Sequence, residues 1–131
     1  MAQLPLQIPE TGRSERELLD RLLGLYEEER QLYARVLELS REQGETVSRG
    51  GSLASVRRIL EQKKQCLDLI GRLELTEHRA KVEWERGRHT WTSSGRRSLH
   101  DAVQEVTELI EEILIREEKN DLILIEQTRV V

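Results

Sequence analysis

Three histidines, His78, His89 and His100, recur every 11 residues in this chain of 131. On one continuous helix that interval returns to the same face, so the imidazoles could converge on a metal ion. The segment between them, GRHTWTSSG, is too rich in Gly, Ser and Thr to carry a helix through, and no cysteine or paired carboxylate completes a ligand set. Surface histidines are expected, with no metal site and no cofactor. The acidic runs Glu27-Glu28-Glu29, Glu111-Glu112 and Glu117-Glu118 raise the prospect of acid–base catalysis. Catalytic carboxylates need environments that separate their pKa values, whereas runs of Glu on an amphipathic helix are ordinarily its solvated face. A helical mutase of the chorismate type would need several cations around an enclosed polar pocket. Here Arg30 and Lys63 interrupt apolar stripes and little else does. No enzyme is expected.

Between Arg86 and Arg97 lie four arginines, Arg86, Arg88, Arg96 and Arg97, with His89 and Trp91 and no acid. Cations interleaved with aromatics can hold single-stranded nucleic acid. Trp84 and Trp91, seven apart, are consistent with a core position and a loop anchor, and the net charge of −4 opposes general affinity for phosphates. A connector is expected, and no nucleic acid partner. No segment approaches the ~20 apolar residues of a membrane span, and the N-terminus shows no leader pattern. No membrane insertion and a cytoplasmic location are expected. Cys66 is the single cysteine and reads as a small apolar core residue.

The elements that must position these groups are helices. Charged residues make up 35% and aromatics 3%, with no Phe, which favours long solvated helices over sheet. From Ser14 apolar positions come in adjacent pairs, Leu18/Leu19, Leu22/Leu23, Leu25/Tyr26, Leu32/Tyr33 and Val36/Leu37, interrupted at Glu29/Arg30. This stripe is broader than a coiled-coil seam, so the helix should touch more than one neighbour. Ser14 with Glu17 forms a capping box. Gly50-Gly51 supplies the left-handed stop and Ser52 the next cap. A second stripe runs through Leu53, Val56, Ile59/Leu60, Cys66/Leu67, Ile70, Leu73, Ala80 and Trp84, with Lys63 in one core-facing slot. The connection falls at 87–97. Ser98 and Asp101 then cap a third stripe, Leu99, Val103, Val106, Ile110, Ile113 and Leu124, interrupted by Glu117 and Asn120.

Basic residues number five against nine acidic over 14–48, nine against six over 53–88, and three against nine over 99–129. A basic middle helix facing two acidic neighbours is the arrangement this suggests, although exposed pairs add at most about 1 kcal/mol each. The expected fold is all-α: a long antiparallel helical hairpin plus a third helix in an up-down-up bundle over 14–128, with an extended tail at 1–13 and a short one at 129–131. Gly24 and Gly71 mark either close helix contact or a bend.

The run Leu122-Ile123-Leu124-Ile125 sweeps about 300° of a helix, more than one core can use. Leu124 is the expected inward member, with Leu122 or Ile123 most outward. Ile113-Leu114-Ile115 repeats the feature. Cover could come from the Leu4-Pro5-Leu6-Gln7-Ile8 tail, from a second subunit in a homodimer, or from a partner helix.

The stripe LLDRLLGLYEEERQLYARVLEL (18–39), the break and restart SRGGSLASVRRILEQKKQCLDLIGRLE (48–74) and the Asn-bearing EEILIREEKNDLILIEQ (111–127) together resemble the FlgN-type flagellar export chaperones. The resemblance spans most of 14–127. Gly51 departs from the acidic residue that family often has after the inter-helix glycine, and the chain ends sooner after its Asn-bearing helix. What the resemblance implies is a non-enzymatic cytoplasmic chaperone of bacterial flagellum biogenesis and type III secretion. It would hold the C-terminal helix of a hook-filament junction protein before export. The expected client-binding residues are Ile113, Leu114, Leu122, Ile123 and Ile125. A helical oligomerisation or scaffold module is the alternative.

Overall fold

The structure, a computed structural model, describes residues 14–129. The expected tail at 1–13 lies outside them. Three helices occupy the described residues: α1 (Glu15–Ser48), α2 (Leu53–Arg86) and α3 (Ser93–Arg129). The fold is all-α. α1 begins where its capping box places it: Ser14 Oγ accepts from the Glu17 N–H at 3.1 Å, and Glu17 accepts from the Ser14 N–H at 3.0 Å. It ends in a Schellman motif. Gly50 takes φ 72°, its N–H bonds Val47, and the Gly51 N–H bonds the Thr46 carbonyl at 2.8 Å. Ser52 caps α2 by accepting from the Ser55 N–H.

α2 returns antiparallel to α1. Contacts between α1 and α3 advance together, from Glu15 with Thr92, through Arg30 with Glu105 and Arg41 with Glu112, to Ser40 with Asn120, so α3 runs parallel to α1. The bundle is therefore up-down-up, but its centre is not the one charge suggested. α1 packs along both neighbours, whereas no Cα of α2 comes within 8 Å of one in α3 among the described residues. The basic helix does not face both acidic ones. The two-residue-wide stripe of α1 has far more area to bury than exposed ion pairs can rival, at ~25 cal/mol per Å².

The core beside the connector holds Leu18, Leu22, Leu25, Ala80 and Trp84, flanked by Leu19, Tyr26, Leu73, Trp91 and Leu99. Val36, Leu37, Leu39, Ile59, Ile70 and Val106 are buried further along. Gly24 and Gly71 do not mark close helix contact: a Cβ at either would meet open space. Close approach instead requires Gly44, where a Cβ would collide with the Asn120 side chain.

The second connection is shorter than expected. α3 starts at Ser93, so Arg96, Arg97, Ser98 and Asp101 lie within it and the Ser98 cap is unused. Thr92 caps it instead, its hydroxyl accepting from the Gly95 N–H at 3.0 Å. The same hydroxyl donates to Glu15 Oε2 at 2.6 Å, and the Thr92 N–H donates to Glu15 Oε1 at 3.0 Å. Glu15, in the first turn of α1, thus clasps the start of α3. A Cβ on Gly95 would collide with its carboxylate. The Thr92 hydroxyl, then the Thr92 N–H, and then the charge of Arg96 hold the Glu15 carboxyl below its usual range.

Thr92→Val removes both the cap and one arm of this clasp. Urea denaturation at neutral pH should show a loss of about 1 kcal/mol. Because the folded pKa of Glu15 is depressed, the clasp's contribution is present above about pH 4.5 and lost as pH falls through the lowered value. The variant should therefore lose less stability than the parent on acidification; an unchanged acid limb would refute the clasp.

Candidate functional site

Buried polar groups and exposed apolar ones are the features a helical bundle does not need, and both are present. The first polar group is Glu29, 3% exposed on α1. Opposite it Glu74 of α2 pairs with Lys81, whose ammonium lies 5.4 Å from the centre of the Tyr26 ring. Burial, then the hydrogen bond and the charge of Glu74, push the Glu29 carboxyl up to about 8. The hydrogen bond from Glu29 and the neighbouring Lys81 draw Glu74 down. Burial and the neighbouring carboxylate thus favour the protonated form of Glu29 and Lys81 the ionised form of Glu74; Glu29 Oε2 has no hydrogen-bond partner among the described residues. Reading the whole Glu27–Glu29 run as solvated therefore fails at Glu29. Glu27 and Glu28 are exposed, but the third residue returns to the buried face of α1.

A second polar layer crosses all three helices. Lys63, 7% exposed, donates from Nζ to Glu117 of α3 at 2.6 and 2.8 Å and to Gln43 of α1 at 2.8 Å. Asn120 Nδ2 donates to the Ser40 carbonyl at 2.8 Å and to Glu117 Oε1 at 3.4 Å, and its side chain occupies the space left by Gly44. The stripe interruptions at Lys63, Glu117 and Asn120 are therefore one site, and a structural one. Arg30 does not join it. It pairs with Glu27 at 2.7 Å, 13 residues or about 20 Å along α1 from Gln43. The two cations that a helical mutase would need together are apart.

The interleaved aromatics are also engaged internally. Trp84 and Trp91 stack with ring centroids 5.0 Å apart, and Trp91 Nε1–H donates to the Trp84 carbonyl at 2.7 Å. Gly87 makes room, since a Cβ there would strike the Trp91 ring. His78, His89 and His100 are exposed, on α2, the connector and α3. Cys66 is half-buried. Among the described residues no helix is long and apolar enough to cross a membrane.

The apolar surplus lies in the last turns of α3. Leu114 is 63% exposed, Leu122 58% and Ile125 50%; Ile113 and Ile123 are half-buried. Ile115 and Leu124 are exposed as well. Leu124, expected inward, is thus exposed; of the two residues offered as most outward, Leu122 is exposed and Ile123 is half-buried. Counting seven from Glu117 leads to Leu124, but the buried register passes through Asn120, and three residues on from it is Ile123. The less exposed positions of α3 repeat at seven, through Val106, Ile113 and Asn120 and through Ala102, Leu109, Arg116 and Ile123, and Leu124 belongs to neither series.

A second exposed row is Leu53, Leu60 and Leu67 of α2, which the stripe reading had placed in the core. Their spacing of seven, offset from Ile59, Lys63 and Ile70, is the signal that separates them from the buried face. Leu75 continues the exposed apolar surface of this helix. No family model, curated protein or solved structure matches this chain.

Two measurements test the polar layers. A folded pKa raised above the unfolded one contributes stability that is full below about pH 4.5 and is lost as pH rises towards 8. Glu29→Gln should abolish that decline, whose slope is up to about 1.4 kcal/mol per pH unit, and should leave the protein more stable than its parent at pH 8. Urea midpoints across pH 5–8 that run parallel in the two proteins would refute the protonated form of Glu29. For the second layer, Lys63→Met should cost roughly 1–3 kcal/mol by leaving Glu117 and Gln43 without their donor. Adding Glu117→Leu should recover most of it. Additive losses in chemical denaturation would show that the pair is not the coupling unit.

Proposed function

We propose that this chain is a non-enzymatic, client-holding helical protein that acts as the FlgN-type export chaperones do. In this reading it is a cytoplasmic protein of flagellar type III export. It captures the C-terminal amphipathic helix of a hook-filament junction protein on the last turns of α3 and keeps it soluble. The observation that carries the reading is the exposure of Leu114, Ile115, Leu122, Leu124 and Ile125, each half or more open to solvent on one helix. Surface of this kind, rimmed by charge, is what a helix-in-groove partner covers, at roughly 1.5–3 kcal/mol per buried large side chain. Of the client-binding residues expected from sequence, Leu114, Leu122 and Ile125 offer that surface, whereas Ile113 and Ile123 are partly occupied by the bundle. The resemblance in residues 18–39, 48–74 and 111–127 supports the client class. A second reading, an oligomerisation or scaffold module, is favoured by the exposed leucine row of α2.

Single serine substitutions separate binding from folding. Leu122→Ser and Leu124→Ser should each weaken capture of the client's C-terminal peptide about tenfold while the thermal midpoint stays within a degree or two. Ile123→Ser should lower the midpoint by several degrees. Fluorescence titration beside a thermal melt reads both. Client binding unaffected by either exposed substitution would remove α3 from the capture site.

A further inference from the structure

The bond between Lys63 and Glu117 shows which sides of α2 and α3 face one another. Residues three or four away on a helix lie beside each other. Leu60 and Leu67 therefore flank Lys63, and Leu114 and Asp121 flank Glu117. No Cα of α2 lies within 8 Å of one in α3, and Leu60, Leu67 and Leu114 stay exposed on either side of the Lys63–Glu117 bond, as the lips of a groove. Leu60 is 46% and Leu67 48% exposed. Just outside the leucines of α2 stand Arg57 and Lys64; outside Leu114 stand Glu111 and Glu118. All four are exposed, and none of them, nor Asp121, has an ion-pair partner within the described residues. The antiparallel run of α2 against α3, anchored at Lys63 and Glu117, sets Leu60 level with Asn120 and Leu67 level with Ile113. Both apolar rows thus occupy the same end of the bundle.

From this face we infer that the chain pairs with a second copy of itself, α2 of each lying antiparallel against α3 of the other about a two-fold axis parallel to the bundle. Charge chooses the occupant and the axis. The groove presents a basic lip and an acidic lip, so its complement is a surface with the same lips exchanged, which a second copy provides. An axis parallel to the helices keeps residues at their own level. It sets Leu67 of one copy beside Leu114 of the other and Leu60 between Glu118 and Asp121, with Lys64 against Glu118 and Arg57 against Asp121. An axis perpendicular to the helices would stack Arg57 and Lys64 on their own equivalents and the acids on theirs. The inference goes beyond the client-holding reading and does not depend on it. The same α3 surface cannot serve a second copy and a client at once.

The test is sedimentation equilibrium of the full chain, without client, across concentration and salt. A species of twice the 15.3 kDa chain mass should form at low salt and weaken as salt is raised. Leu60→Glu should raise the dimer dissociation constant tenfold or more. So should Arg57→Glu with Lys64→Glu, and adding Glu118→Lys and Asp121→Lys to that chain should restore pairing. All these sites are exposed, so circular dichroism melts should match the parent. A monomer at every concentration would overturn the inference. So would loss of the dimer in Leu60→Glu but not in the arginine and lysine reversal, which would mean that like helices face each other.

Discussion

The apolar band of α1 is the surface on which both other helices settle. α2 and α3 have no close backbone approach to each other and meet through side chains such as Lys63 and Glu117, so the leucines and valines of α1 carry most of the packing of both. A band two residues wide can present one edge to each neighbour, which a single heptad seam cannot. The buried residues follow this division: ten of α1 are buried, against five of α2. The end contacts reinforce it. Glu15 at the start of α1 clasps the start of α3, and the Schellman turn after Ser48 sends α2 back along the same helix.

Polar groups inside such a bundle restrict how the helices can slide. An apolar seam tolerates a shift of one turn at modest cost, whereas Lys63, Gln43 and Glu117 satisfy each other only in one register. Asn120 fits only against Gly44. Glu29 adds a different constraint, because a carboxyl that must keep its proton to stay buried ties that part of the α1–α2 contact to pH.

Three helices arranged around one of their number leave an opening between the outer two. The exposed leucines of α2 and the exposed leucines and isoleucines of α3 belong to that opening or its margins, and the charges beside them have opposite signs. A client helix and a second copy are both physically reasonable covers for such a surface. Both follow from the same geometric fact, that α1 satisfies its neighbours without bringing them together.

Much of this was legible in the residues themselves. The all-α class, the start of α1 at Ser14, the glycine stop at 50–51, the cap at Ser52 and the breadth of the α1 stripe are local properties, set by capping geometry and a period of 3.6 residues, and they needed no knowledge of neighbours. The excess of apolar surface at 122–125 was equally legible, because four consecutive side chains cannot share one face. Which of them turns inward was not. Ile123 and Leu124 differ by 100° on the helix, and only the packing of Asn120 against α1 settles that angle. The same holds for Leu60 beside Ile59, and for Glu29 within its acidic run, whose burial depends on what α2 places opposite. Helix charge pointed to the wrong centre, since a count of charges carries no information on where they lie and exposed pairs are weak beside buried area. The sequence by itself determined the helices and the sizes of their apolar faces; the tertiary structure decided which face each residue joined, because that depends on contacts between residues 20 to 80 positions apart that no local pattern encodes.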